Sequence, residues 1–156
     1  MKKRLLSFSL LTLLVLAGTI PVRASSLPVI QGEVSALELC PQSICHAAIF
    51  TGLFVGQVGV NPFSVGLISV AATHEDLPEA DDPPAGITGG VWSLRLLNGR
   101  RFTGIVTSGS LSNNGDNTFD VTVRMQIVSG GSGSLQFHGT LSHQVFPPTL
   151  IGTISQ

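Results

Sequence analysis

The chain has 156 residues, 43% hydrophobic and only 11% charged, with eight basic and nine acidic side chains. Lys2, Lys3, Arg4 and Arg23 precede Ser25 while every acid follows it, so residues 25–156 keep four arginines, no lysine and a net charge of 4 − 9 = −5. That balance excludes binding driven by phosphate neutralisation, hence nucleic acid, and electrostatic docking on anionic lipid.

Residues 1–24 have the layout of a cleavable secretory signal. Lys2, Lys3 and Arg4 form a positive start, Leu5 to Ile20 an apolar middle, and Val22-Arg23-Ala24 a small-x-small cleavage site. The apolar run is short of the about 20 residues that a helical bilayer span needs. The expectation is an exported chain, periplasmic or secreted, with residues 25–156 as one domain and no stable membrane insertion after cleavage. Cys40 and Cys45 bracket Pro-Gln-Ser-Ile, and an even pair in an exported chain is expected to close a local disulfide.

Val29 to Leu39 is expected to be a first strand. Ile44 to Val60 is apolar on both parities, with Ala48, Phe50, Phe54 and Val58 on one face and Ile49, Leu53 and Val55 on the other. Its glycines suit a bent strand better than a helix, and a strand apolar on both sides needs both faces covered. Asn61-Pro62 is expected to turn the chain into a second such strand, Val65 to Thr73. A homo-oligomer formed through the strands within 44–73 would supply the outer cover.

His74 to Gly90 loses all periodicity and holds five acids and three prolines, which predicts a long exposed loop. Alternation resumes at Val91 to Leu97, placing Trp92, Leu94 and Leu96 on one face and Arg95 on the other. Asn98-Gly99 predicts a two-residue hairpin turn, pairing Leu97 with Arg100 and Trp92 with Ile105. A strand from Arg101 to Leu111 and the turn Asn113-Asn114-Gly115-Asp116 follow. Asn117 to Val128 has the cleanest pattern: Phe119, Val121, Val123, Met125 and Ile127 alternate with Asp120, Thr122, Arg124 and Gln126. The chain then reverses at Ser129 to Ser134 into Leu135 to Val145, and Thr149 to Ile154 forms a last strand.

About eight short strands joined by turns predict an all-β domain, a single antiparallel up-and-down barrel, with a β-sandwich as the alternative. An outer-membrane barrel would also explain export, but the chain has no tyrosine and one tryptophan, so the interfacial aromatic girdles are missing. The stretch Gly130-Gly131-Ser132-Gly133-Ser134-Leu135-Gln136-Phe137-His138-Gly139 resembles the glycine-rich hairpin of the allene oxide cyclase and dirigent type of small barrel. The resemblance covers one hairpin and implies an eight-stranded barrel with an internal cavity, often trimeric. It carries no catalytic residue onto this chain.

Chemistry-bearing residues are few. His143 shares a parity with Leu135, Phe137 and Leu141, which makes it a candidate cavity or rim group together with Phe137, Trp92 and Arg95. His74, Glu75, Asp76, Glu79, Asp81 and Asp82 form a candidate acidic loop, a lid or contact element, whose spacing fits no EF-hand and no zinc-protease motif. Gly-x-Ser-x-Gly and lysine-bearing phosphate loops are absent. No catalytic residue, metal or cofactor is assigned. The expected function is the non-catalytic binding of a small apolar ligand or a protein partner. A small cavity enzyme of the cyclase, isomerase or lyase type and a structural surface or oligomeric protein are the alternatives.

Overall fold

The structure, a computed structural model, describes residues 29–156; the expected leader lies outside the described residues. Eight strands follow one another in chain order: β1 (Ile30–Cys40), β2 (Ala48–Val58), β3 (Asn61–His74), β4 (Ala85–Leu96), β5 (Arg101–Asn113), β6 (Thr118–Ser129), β7 (Ser134–Ser142) and β8 (Thr149–Ser155). Each pairs antiparallel with the next, and β8 returns to pair with β1, so the sheet is a closed up-and-down barrel rather than a sandwich. Closure removes the free edges that such apolar strands would otherwise present.

Alternation explains the inside and the outside. On β6, Phe119, Val121, Val123, Met125 and Ile127 are all buried, while Asp120, Arg124 and Gln126 are exposed. On β4, Trp92, Leu94 and Leu96 point inward and Arg95 outward. The largest rings need interior space, which glycines on their own and neighbouring strands supply. A Cβ at Gly139 or Gly152 would stand 2.6 or 2.7 Å from the Phe137 ring, and one at Gly104 would stand 2.5 Å from Trp92 Nε1. Alternating small and large inward residues is how small barrels fit their taper.

Four expectations about the connections are corrected. The loop expected over His74 to Gly90 is shorter, because β3 continues to His74 and β4 begins at Ala85, with Ala85 and Ile87 in the core. The alternation was hidden by a change of phase at Gly89-Gly90: inward positions are odd before it and even after it. Gly90 has φ +148°, and a Cβ there would overlap the Ala71 carbonyl oxygen, so no other residue fits the kink.

The Asn98-Gly99 hairpin has three loop residues, not two. Leu96 N–H donates to the Arg100 carbonyl (2.9 Å) and Gly99 N–H to the Leu96 carbonyl (3.0 Å), with positive φ at Gly99 but not at Asn98. This is a type I turn closed by a glycine bulge. Trp92 therefore opposes Gly104, and Ile105 faces outward beside Val91.

The first hairpin turns at Gly59-Val60, so Asn61-Pro62 opens β3 rather than forming the turn. Finally, β2 begins only at Ala48, because Gln42–Cys45 forms one helical turn, α1, inside a ring closed by the Cys40–Cys45 disulfide. The outward face of β2 and β3 is exposed along Leu53, Val55 and Leu67.

Candidate functional site

The loops divide the two barrel ends. At one end β2–β3, β4–β5 and β6–β7 are joined by short turns; at the other lie the longer connections 41–47, 75–84 and 143–148 together with the short turn 114–117. The inward rows differ in the same sense. Toward the tight-turn end they carry Ile30, Phe54, Val58, Leu94, Leu96 and Phe102, all at most 2% exposed. Toward the long-loop end the rows of β1 to β4 carry Ala36, Ala48, Ala72 and Ala85. Small side chains there leave a cavity of about 410 Å³, walled by Phe50, Val70, Ile87, Leu111, Val121, Val123, Met125, Phe137, Leu141 and Leu150. That volume falls in the range of small-molecule sites, about 300–1,000 Å³.

Polar groups sit only at its mouth. Glu38 continues the inward row Val34, Ala36 of β1, at a bulge between Glu38 and Cys40, and its N–H donates to the Pro148 carbonyl (2.9 Å). Its side chain is 4% exposed and carries Oε2 to 3.3 Å from His143 Nε2. The two atoms lie off hydrogen-bond alignment, and neither has any other partner, although both are buried. His143 stands one residue beyond β7 rather than within it. Its N–H donates to the Asn117 carbonyl (2.9 Å) and its ring tilts against Phe119 at a centroid distance of 5.3 Å. Buried polar atoms are nearly always satisfied, so an unpartnered acid–imidazole pair on an apolar cavity calls for an explanation.

The remaining rim is built by loops that hold one another. The disulfide fixes α1, and Gln42 on α1 clasps the end of β3: its amide donates to the His74 carbonyl (2.7 Å) and accepts the His74 N–H (2.8 Å). Glu75 turns back onto β4, its Oε2 accepting the Gly86 N–H (2.7 Å). Asp76 and Leu77 complete the mouth. Among the described residues, no three His, Cys, Asp or Glu side chains converge as a metal site.

Several of the residues singled out from the sequence meet here. His143 and Phe137 line the cavity, and His74, Glu75 and Asp76 line its mouth, whereas Glu79, Asp81 and Asp82 stay outside it. Trp92 does not line this cavity: it is buried in the filled half, its Nε1–H donating to the Gln126 carbonyl at 3.3 Å, and it borders instead an open depression with Ile49, Val91 and Val128. Arg95 does not line the cavity either, because it lies on the exposed parity of β4. Glu38 was missed, although an acid continuing the apolar row Val34, Ala36 was a visible signal. No protein family, characterised protein or solved structure matches the chain.

Proposed function

We propose that this exported barrel binds a small, mainly apolar molecule in the cavity, with Glu38 and His143 holding its polar end. The observation that carries this reading is the pair of buried polar atoms at the mouth of an otherwise apolar space, held by a single misaligned contact with each other. Apolar walls with a few convergent polar groups are what small-ligand sites share. The apolar interior and half-polar exterior also suit a protein surrounded by water, the inverse of a bilayer-spanning barrel. A periplasmic or secreted location accords with the leader-like segment 1–24 and with the Cys40–Cys45 disulfide.

The test is native mass spectrometry of protein purified from its own cells, followed by displacement of an environment-sensitive fluorophore by the compound found. Ala72 is 7% exposed and lines the cavity, so Ala72→Leu places extra carbons inside it. The variant is expected to bind about tenfold more weakly while unfolding at or above the wild-type denaturant midpoint. Unchanged binding in Ala72→Leu removes the cavity as the site.

A second reading is favoured by the 3.3 Å approach of Glu38 to His143. A carboxylate and an imidazole facing one bound molecule can remove a proton and return it elsewhere, as an isomerase does. Incubating the compound with protein in deuterated water separates the two: a binder returns it unchanged, and an isomerase returns it deuterated or rearranged.

A further inference from the structure

We propose that the cavity selects an apolar primary amine, its ammonium group seated between Glu38 and His143; this rests on the cavity-binding reading above. The charges around the mouth point one way. Glu38 on β1 and Glu75 and Asp76 in the β3–β4 connection line it, together with His74 and His143, and among the described residues no arginine does. The four arginines of the described residues, Arg95, Arg100, Arg101 and Arg124, are all exposed and line no part of the cavity. Among the described residues Glu38 thus has His143 as its one ionic contact, and that contact is misaligned. A buried carboxylate so poorly compensated is costly, and a ligand that neutralises it gains what the protein left unmet.

The geometry narrows the head group further. An ammonium has three N–H donors and no acceptor. Entering between the two side chains, it replaces their misaligned 3.3 Å contact, donating to Glu38 Oε2 and, when the imidazole proton is on Nδ1, to His143 Nε2. A fatty carboxylate would bring a second negative charge against a buried one, which is strongly unfavourable. A quaternary ammonium has the charge but no N–H to give. An alcohol satisfies the hydrogen bonds and leaves the charge uncompensated. The rest of the molecule meets only the apolar wall, from Phe50 and Val70 across to Phe137 and Leu150.

Four probes with one tail decide this: decylamine, decanol, decanoate and decyltrimethylammonium, each titrated by calorimetry against the full domain below its micelle-forming concentration. The expected result is decylamine binding at least about tenfold tighter than the other three. In Glu38→Gln, which keeps the side chain's shape, that advantage falls to about threefold or less. If decanol, decanoate or the quaternary salt matches decylamine in the wild type, the amine assignment is overturned and the cavity reading stands. If no probe binds, both fall. The wild-type ranking needs no variant, so it decides the matter even if Glu38→Gln folds poorly.

Discussion

Replacing Glu38 and His143 together with leucine is expected to make the ligand-free protein more stable and unable to hold its ligand. The Glu38 side chain is 4% exposed, and its Oε2 has no hydrogen-bond partner. Exchanging both partners of a buried, poorly aligned ion pair for hydrocarbon of similar volume is neutral or stabilising by about 1–4 kcal/mol, whereas removing one partner alone destabilises, which is why both are replaced. The net expectation is a gain of about 1–2 kcal/mol, or roughly 3–8 °C in Tm for a domain of this size. Urea unfolding of protein refolded with its disulfide intact is the assay, with an unchanged m value as the control for the unfolded state. A loss of more than about 1 kcal/mol would refute the reasoning. It would mean that the carboxylate holds β1 to the β7–β8 connection, and that its exposure to the cavity is incidental.

The remaining predictions address other links. Gly104→Ala places a methyl 2.5 Å from Trp92 Nε1 and against the Gln126 carbonyl that accepts its hydrogen bond; it is expected to destabilise by about 1–3 kcal/mol. Fluorescence of the sole tryptophan reports it, and an unperturbed spectrum with full stability would contradict the packing described. Opening the disulfide with Cys40→Ser and Cys45→Ser removes a five-residue loop closure, at a stability cost of about 2 kcal/mol at most. Its larger expected effect is faster ligand dissociation, because α1 no longer presents Gln42 to His74; an unchanged off-rate in stopped flow counts against that clasp. On the outer face, Leu53 and Leu67 pair directly and are 53% and 54% exposed. Light scattering is expected to give a multiple of the chain mass that drops to one chain in Leu53→Glu, and a monomeric wild type disposes of the oligomer.

Most of the strand pattern was legible because alternation survives wherever a strand stays in phase. β6 could be read residue by residue, and the turn residues between β4 and β8 gave the meander order. What could not be read were the phase changes. At Gly89-Gly90 the inward parity switches, which made the start of β4 look like loop, and the single residue Thr107 causes a similar slip in β5, where the pairing with β6 shifts between Val106 and Ser108. The β4–β5 turn erred by one residue, since Asn-Gly serves both a two-residue turn and the last positions of a type I turn with a glycine bulge. The site depended on still less local information. His143 follows the end of β7, and Glu38 meets it only because β1 and β8 close the barrel. No periodicity within either segment contains that meeting.

The cavity itself, by contrast, is written into the composition of the strands. The inward rows of β1 to β4 all carry alanine toward the long-loop end, Ala36, Ala48, Ala72 and Ala85, where Ile30, Phe54, Ile68 and Trp92 stand further from it. Four strands changing together produce a funnel, which a chance gap in packing would not. Left as a true void, about 410 Å³ at roughly 24 cal/mol per Å³ would forfeit about 10 kcal/mol, comparable to the whole stability of an ordinary domain. In solution the space must therefore be filled, by water entering past Ser43, Glu75 and Asp76 or by a solute. Water gains little there, since the walls below Glu38 and His143 offer it no hydrogen bonds. An apolar solute gains the walls, and one with a donor at its end also gains the two atoms that the fold leaves unpaired.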